Sequence, residues 1–325
     1  MLVLVTGAAG FIGSHVAQRL LADGHRVVAV DSFHPYYART IKERNLEPVR
    51  RHAAARFVEA DLARADLASI VEGVDAVVHL AAQAGVRASW GAEFAGYLDC
   101  NVLATQRLLE ATKGRPLRAW VYGSSASVYG DDALDAVAES ALPAPHSPYG
   151  VTKLAGEHLA LLYHRTAGTP AVSLRYFSVY GPRERPDKAI QRFLVAARLG
   201  RGILVHGDGS QKRDFTYVDD VVDATMAALA SPPVGRVVNV ARGKTVTLAE
   251  VIETIRRVTG ALLPVERGPA EKGDVRVTSA DVSLARRLLG YAPRTDLADG
   301  IARQWAHVQA DPSLGEAAAA RLGGV

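Results

Sequence analysis

Residues 2–13 read Leu2-Val3-Leu4-Val5-Thr6-Gly7-Ala8-Ala9-Gly10-Phe11-Ile12-Gly13, and this stretch decides the fold. A short apolar run ends at a glycine, and a helical pattern begins directly after the glycine-rich turn. The spacing is G-x-x-G-x-x-G. Gly7 permits a tight turn, Gly10 lets the backbone approach a pyrophosphate at a helix N-terminus, and Gly13 allows close helix–strand packing. A glycine triplet alone carries little information. Here a strand precedes it, a helix follows it, and an acid closes the second strand in Val27-Val28-Ala29-Val30-Asp31. A carboxylate there accepts hydrogen bonds from adenosine ribose hydroxyls and repels a 2′-phosphate, so the cofactor expected is NAD rather than NADP. Asp61 and Leu62 follow the third strand, and Asp61 reads equally as an adenine contact or as a helix N-cap.

Outward from this turn the first half alternates apolar runs with helical patterns. Strands are expected at 2–6, 26–30, 56–59, 76–80, 119–123 and 171–175, with helices near 13–22, 64–72, 94–113 and 149–166. Right-handed crossovers turn that series into a Rossmann-type doubly wound parallel sheet, with its ligand crevice at the carboxyl ends of the strands. After Arg175 the rhythm loosens. A Pro- and Arg-rich loop leads to a helix near 189–199, a strand near 203–209, and a return at 218–229 and 237–240. The fold class is therefore α/β, with a smaller α/β C-terminal substrate-binding lobe. The expected division is residues 1–176 for the dinucleotide, rejoined by 214–241. Residues 177–213 and 242–310 form the lobe, and 311–325 a frayed or loosely attached tail.

At 325 residues, 49% hydrophobic and 22% charged, the chain has the make-up of a globular protein with one large core. The formal charge of +4 is modest. Segment 183–213 holds eight Lys or Arg against three acids, which suits a small polyanion such as a diphosphate better than a nucleic-acid groove. On charge alone a solvated basic face fits as well. The lone cysteine, Cys100, reads as packing, excludes an intramolecular disulfide and points to a reducing compartment. The apolar run 2–5 is too short for a secretion signal or a membrane span. A cytoplasmic protein with no membrane partner is expected.

The chemistry sits in two segments. Ser147-Pro148-Tyr149-Gly150-Val151-Thr152-Lys153 opens a helix, with Ser147 as N-cap and Pro148 in the first turn. Tyr149 and Lys153 are four apart and share a helical face. A free phenol titrates near ~10, and a neighbouring ammonium favours its ionised form. Upstream, Tyr122-Gly123-Ser124-Ser125-Ala126-Ser127-Val128-Tyr129-Gly130 closes the fifth strand at the crevice, where hydroxyls can bridge a substrate oxygen and Tyr149.

With these residues in view, the chain resembles the extended short-chain dehydrogenases/reductases in their nucleotide-sugar epimerase branch. The likeness rests on 6–13, Asp31, Asp61-Leu62, His79-Leu80-Ala81-Ala82, Asn101, 124–130, 149–153 and 175–181, and Arg213-Asp214-Phe215-Thr216-Tyr217 extends it into the second half. The resemblance implies Ser125 and Tyr149 at the reacting hydroxyl, with Lys153 in support. Around NAD it places Phe11, Ile12, Leu62, Leu80, Ala81 and Ala82, and also Asn101, Tyr176 and Val179. Sister dehydratases carry an Asp-Glu pair where this chain has Ala126 and Ser127, and UDP-glucuronate decarboxylases carry a glutamate in place of Ser127. Two further stretches, 79–87 and 175–187, are most similar to UDP-glucuronate 4-epimerases. That likeness implies a UDP-sugar substrate, with Ser127 and Ser178 on a sugar carboxylate and Arg185 over the sugar. It further implies Gln83 and Arg87 in the substrate pocket, Arg213 and Arg192 on the diphosphate, no metal, and a homodimer through the helices near 94–113 and 149–166. A solvated surface role for Arg185 is the competing expectation, and so is a neutral UDP-hexose or N-acetylhexosamine substrate. Decarboxylation and a non-catalytic dinucleotide sensor are the further alternatives.

Overall fold

The computed structural model describes residues 1–130, 136–269, 276–311 and 314. Seven parallel strands form the main sheet, in the order Val237–Val240, Ala171–Tyr176, Ala119–Ser125, Ala76–His79, Leu2–Thr6, Arg26–Asp31, Ala55–Glu59. Alternation along each strand feeds two cores. Val3, Val5, Val27, Ala29 and Val78 pack on one face, and Leu4, Val28, Val30 and Val77 pack on the other. The first strand pairs with Arg26–Asp31 on one side and Ala76–His79 on the other. Strand order therefore reverses beside the glycine turn, and this reversal is the switch point at which such sheets open a crevice.

The expected strands form, with small changes of length that matter for the site. The second runs on through Asp31, and the fifth runs on through Ser125, so both side chains sit at the carboxyl rim of the sheet. Helix Phe11–Ala22 follows the glycine turn. Helix Pro148–Ala167 starts at the Ser147 cap, whose hydroxyl accepts from Gly150 N at 3.1 Å, and ends at left-handed Gly168.

Two helical expectations need correction. No helix forms at 64–72. Asp61 and Asp66 side chains accept from Ala63 N (2.9 Å) and Ala68 N (3.0 Å), and these local turns take the backbone donors that a helix would have used. The stretch still buries Leu67, Ile70 and Val71. Conversely, a helix the pattern did not announce spans Arg39–Arg50, with Pro48 inside it and Ile41, Asn45, Leu46 and Val49 inward. The long helix near 94–113 is real but broken. Phe94–Leu98 and Ala104–Thr112 flank a wider π-type turn at Asp99–Leu103.

The second half returns to the sheet through Val237–Val240, which pairs with Ala171–Tyr176. Outside the sheet, Ser178–Tyr180 pairs with Phe215–Tyr217, and Ile203–His206 pairs with Val265–Gly268. Lys212–Arg213 lies between Val246–Thr247 and Val277–Thr278. Of the expected tail, Asp311 receives Arg44 at 2.9 Å; apart from Asp311 and Leu314, its residues lie outside the described ones. Among the described residues no helix is long and apolar enough to cross a membrane, and no cluster of His, Cys, Asp and Glu could hold a metal.

Candidate active site

The glycine turn is closed by its own backbone. Gly10 N donates to Gly7 O at 3.0 Å, and Gly7 takes a φ of 70° that side chains resist. At Gly13 a Cβ would sit 2.1 Å from Gly7 O, so the helix can approach the strand only with glycine there. Thr6 Oγ1 accepts from Leu80 N and Ala81 N at 3.2 and 3.1 Å, which ties 80–81 to the turn. Asp31 fixes the other side: its carboxylate accepts from Ala9 N at 3.1 Å and Phe33 N at 2.8 Å. Helix Phe11–Ala22 has no side-chain cap on its first turn. Its free N–H groups and the positive end of its dipole face the cleft, which is what an anionic pyrophosphate requires.

The cleft measures about 1750 Å³, well above the ~300–1,000 Å³ of a pocket for one small molecule. Gly7, Gly10, Phe11, Ile12, Gly13, Asp31, Asp61, Leu62, Leu80, Ala81 and Ala82 line one end, with Tyr176 and Val179 further along. An uncapped helix end, a cradle that tolerates only glycine and a carboxylate at the rim fit a dinucleotide with unmodified ribose. Asp61 lines this end while capping its own turn and pairing with Arg64 at 2.6 Å. The cap that Asp61 supplies serves a turn rather than a helix.

At the centre stand Ser125, Tyr149 and Lys153, all on the cleft. Ser125 Oγ accepts from Ser127 N at 3.1 Å, which leaves its proton free to point toward the Tyr149 phenol. Burial pushes the Tyr149 phenol above its usual range, while the Ser125 hydroxyl and then the Arg185 charge pull it down. The Arg185 charge thus reaches this phenol from another part of the chain. Lys153, expected as a neighbouring ammonium, is buried 4.4 Å above the Tyr122 ring, and burial pushes it down to about 7 against the opposing charge of Glu157.

Beneath the centre lies His79, fully buried, with Nδ1 2.7 Å from Thr6 Oγ1 and Nε2 3.0 Å from Thr105 Oγ1. Thr105 spends its own proton on Asn101 O at 2.7 Å, so it must accept from His79 Nε2–H. Burial, with Lys153 nearby, holds this imidazole neutral at about 3. Asn101 is tied to the strand-end segment that lines the cleft. It is 1% exposed, its Oδ1 accepts from Gln83 N at 2.7 Å, and its Nδ2 donates to Gln83 O and Thr152 Oγ1. It positions Gln83.

The same cleft is lined by Gln83, Arg87, Ser127, Ser178, Arg185, Arg192 and Arg213. Arg185 is not a solvated surface residue: its side chain is 19% exposed and holds Asp187 with two hydrogen bonds of 2.9 and 2.8 Å. Arg213 donates to Lys212 O at 2.9 Å. Several lining residues carried no expected role, Tyr36, Asp187 and Lys42 among them. Tyr36 lies under the Arg185 guanidinium, Asp187 pairs with it, and Lys42 sits near Asp31 with its ammonium on His34 O at 2.8 Å. Their elements, a loop and a helix missed in the pattern, meet the site only through tertiary folding.

Comparison with known proteins agrees with this geometry. The model of the NAD dependent epimerase/dehydratase family matches residues 3–241. The chain is 41% identical over 310 residues to an uncharacterized UDP-glucose epimerase of Bacillus subtilis, covering 95% of this chain and 98% of that one. It is 37% identical over 305 residues to the UDP-glucuronate 4-epimerase of Thermodesulfobacterium geofontis, covering 92% and 94%. The crystal structure of UDP-glucuronic acid 4-epimerase from Bacillus cereus, in complex with UDP-glucuronic acid and NAD, superposes with a TM-score of 0.92. It shares 40% identity over 95% of this chain and 99% of that one. The glycine cradle, the Ser125–Tyr149 pair and the extent of these matches lead to one assignment: the chain belongs to the NAD dependent epimerase/dehydratase family.

Proposed function

We propose that this protein inverts C4 of UDP-glucuronate to give UDP-galacturonate, with NAD as its cofactor. The observation that carries the reading is a single cleft holding the glycine cradle, the Ser125–Tyr149 pair, and a sugar end made of Ser127, Ser178 and Arg185. The relatives named above for UDP-glucuronate support the uronic substrate, and the Bacillus subtilis relative keeps UDP-glucose as the competing one.

Tyr149 takes the proton of the C4 hydroxyl while Ser125 aligns that oxygen. NAD, when bound, supplies the hydride acceptor and donor and a positive charge beside the phenol. The 4-keto sugar then turns about its diphosphate, which Arg213 and Arg192 hold, and presents its opposite face. Tyr149 returns the proton as the hydride comes back, so C4 is inverted with no net redox change. Lys153, on the same helical face, serves the nicotinamide ribose. Residues 177–213 and 242–310 supply the nucleotide-sugar side, and residues 1–176 with 214–241 the dinucleotide side.

A uronic substrate oxidised at C4 is a β-keto acid and tends to lose carbon dioxide. Neutral hydroxyls at Ser127 and Ser178 hold the carboxylate without adding a repelling charge. A homodimer through helices Ala104–Thr112 and Pro148–Ala167 belongs to the same proposal. The exposed Leu103, Val151 and Leu162 on or beside these helices support it, and light scattering after gel filtration tests it.

The deciding experiment incubates the purified protein with UDP-glucuronate, without and then with added NAD, and follows the sugars by proton NMR. UDP-galacturonate without a pentose is the expected result. A pentose product would put decarboxylation first. No product in either case, with turnover of UDP-glucose, would move the assignment to neutral sugars.

A further inference from the structure

Arg185 is held by two residues, Asp187 at one edge and Tyr36 at one face. Asp187, two residues on in the same loop, takes its side edge: Nε donates to Oδ1 at 2.9 Å and Nη2 to Oδ2 at 2.8 Å. The guanidinium lies over the Tyr36 ring, 5.4 Å from its centroid. The Tyr36 phenol in turn donates to Asp187 Oδ2 at 3.4 Å, which closes the triangle across 151 residues of sequence. All three residues line the cleft. Against the upward push of burial, the Arg185 pair keeps the Asp187 carboxyl below its usual range.

A guanidinium has two edges that can each grip a carboxylate with parallel hydrogen bonds. Asp187 occupies the Nε–Nη2 edge. Nη1 makes no hydrogen bond to any described residue and is open to the cleft. The pair as a whole is nearly neutral, so it exerts little general pull on anions. What remains is a fixed fork, formed by Nη1 and the outer proton of Nη2. A planar carboxylate can use both arms of that fork, whereas the hydroxymethyl group of a neutral hexose can use one and brings no charge.

We propose that Asp187 is a positioning residue for substrate choice: by holding one edge of Arg185 it presents the other edge to the carboxylate of a uronic sugar. The assignment rests on the UDP-glucuronate reading above. A long side chain normally loses rotamer freedom when it binds, and here Asp187 and Tyr36 have already restricted it. That restriction helps only a ligand that meets both arms.

The test compares Asp187→Asn and Asp187→Ala with wild type, measuring KM for UDP-glucuronate and the inhibition constant of UDP-glucose as a competitor. Each substitution is expected to raise the UDP-glucuronate KM about tenfold, the loss of one charge-assisted contact, with a smaller change in kcat. The UDP-glucose constant should move less than about twofold on the same scale. In an Arg185→Met background, Asp187→Asn should add no further rise in KM, because the residue acts through Arg185. Equal rises for both sugar nucleotides, or an undiminished effect in the Arg185→Met background, would overturn the assignment. If wild type turns over UDP-glucuronate but the Asp187 variants keep its KM, this inference alone falls. If wild type does not turn over UDP-glucuronate, the functional reading fails and takes this one with it.

Discussion

Glu157 grips the Nε–Nη2 edge of Arg175 in the buried interior, with Oε1 2.6 Å from Nη2 and Oε2 3.0 Å from Nε. Ser124 Oγ donates to the same Oε2 at 2.8 Å, and the guanidinium stacks 4.5 Å above Tyr129. The side chains are 4% and 2% exposed. One carboxylate thus couples the helix of Tyr149 and Lys153 to the strands that end in Ser125 and Tyr176. Glu157→Gln leaves a buried guanidinium without its counter-charge and should cost about 3–5 kcal/mol in urea denaturation. Replacing both partners, Glu157→Leu with Arg175→Met, should cost clearly less, since neither charge then needs the other. Equal losses would mean that packing, and not charge, is what the pair contributes.

Tyr149→Phe removes only the phenol oxygen. Turnover should fall by about 10²–10⁴-fold, the usual worth of a positioned acid–base group. NAD recovered from the denatured variant should match wild type, because the cradle is unaltered. A variant that kept half its rate would place the proton transfer on another group.

Asp31 has two duties, and they separate in one substitution. Asp31→Ala removes the acceptor for Ala9 N and Phe33 N along with the carboxylate proposed to meet the adenosine ribose. It should therefore weaken NAD binding at least about tenfold without a gain for NADP, a loss of about one charge-assisted hydrogen bond. Lys42 cannot serve a 2′-phosphate freely while it holds His34 O and lies over the Tyr37 ring. Calorimetric titration with both dinucleotides checks this. Tighter NADP binding at unchanged thermal stability would refute the double role.

Ser127→Glu places a carboxylate in the sugar end of the cleft. Repulsion should disfavour the position in which the substrate carboxylate is held, and the share of pentose product in the NMR assay should rise. Unchanged product ratios would remove Ser127 from the protection of the keto acid.

Glu184 carries a pH signature of stability. Burial pushes its carboxyl up to about 7, with the Gln304 hydrogen bond of 2.8 Å acting the other way. Its pKa in the folded chain lies above the unfolded value near 4.5, so the folded state binds the proton more tightly. The stability this group contributes is complete below that unfolded value and is lost as pH rises through about 7. Thermal denaturation across this range should fall more steeply for wild type than for Glu184→Gln. Asp214, raised to about 6 by burial, has the same sign, and only the difference between the two proteins isolates Glu184. Parallel curves would show that Glu184 is already ionised in the folded chain.

Much of this was written in local pattern. The spacing of Gly7, Gly10 and Gly13, the two-residue alternation from Val3 to Val5 and the four-residue step from Tyr149 to Lys153 each follow from backbone sterics or helical and strand periods. Those features need no partner, so the sequence alone determined the parallel sheet, its crevice and the residues at its rim. Where local rules competed, pattern failed. Asp61 and Asp66 turned a helical-looking stretch into capped turns, and Pro48 masked a helix whose apolar face is nevertheless buried. Electrostatics lay further out of reach. That the Arg185 charge reaches Tyr149, that burial pushes Lys153 down to about 7, and that Tyr36 closes on Asp187 all depend on burial and on groups brought together across the chain. The tertiary structure alone decided these, because desolvation and Coulomb energy depend on distance in space and not on separation in sequence.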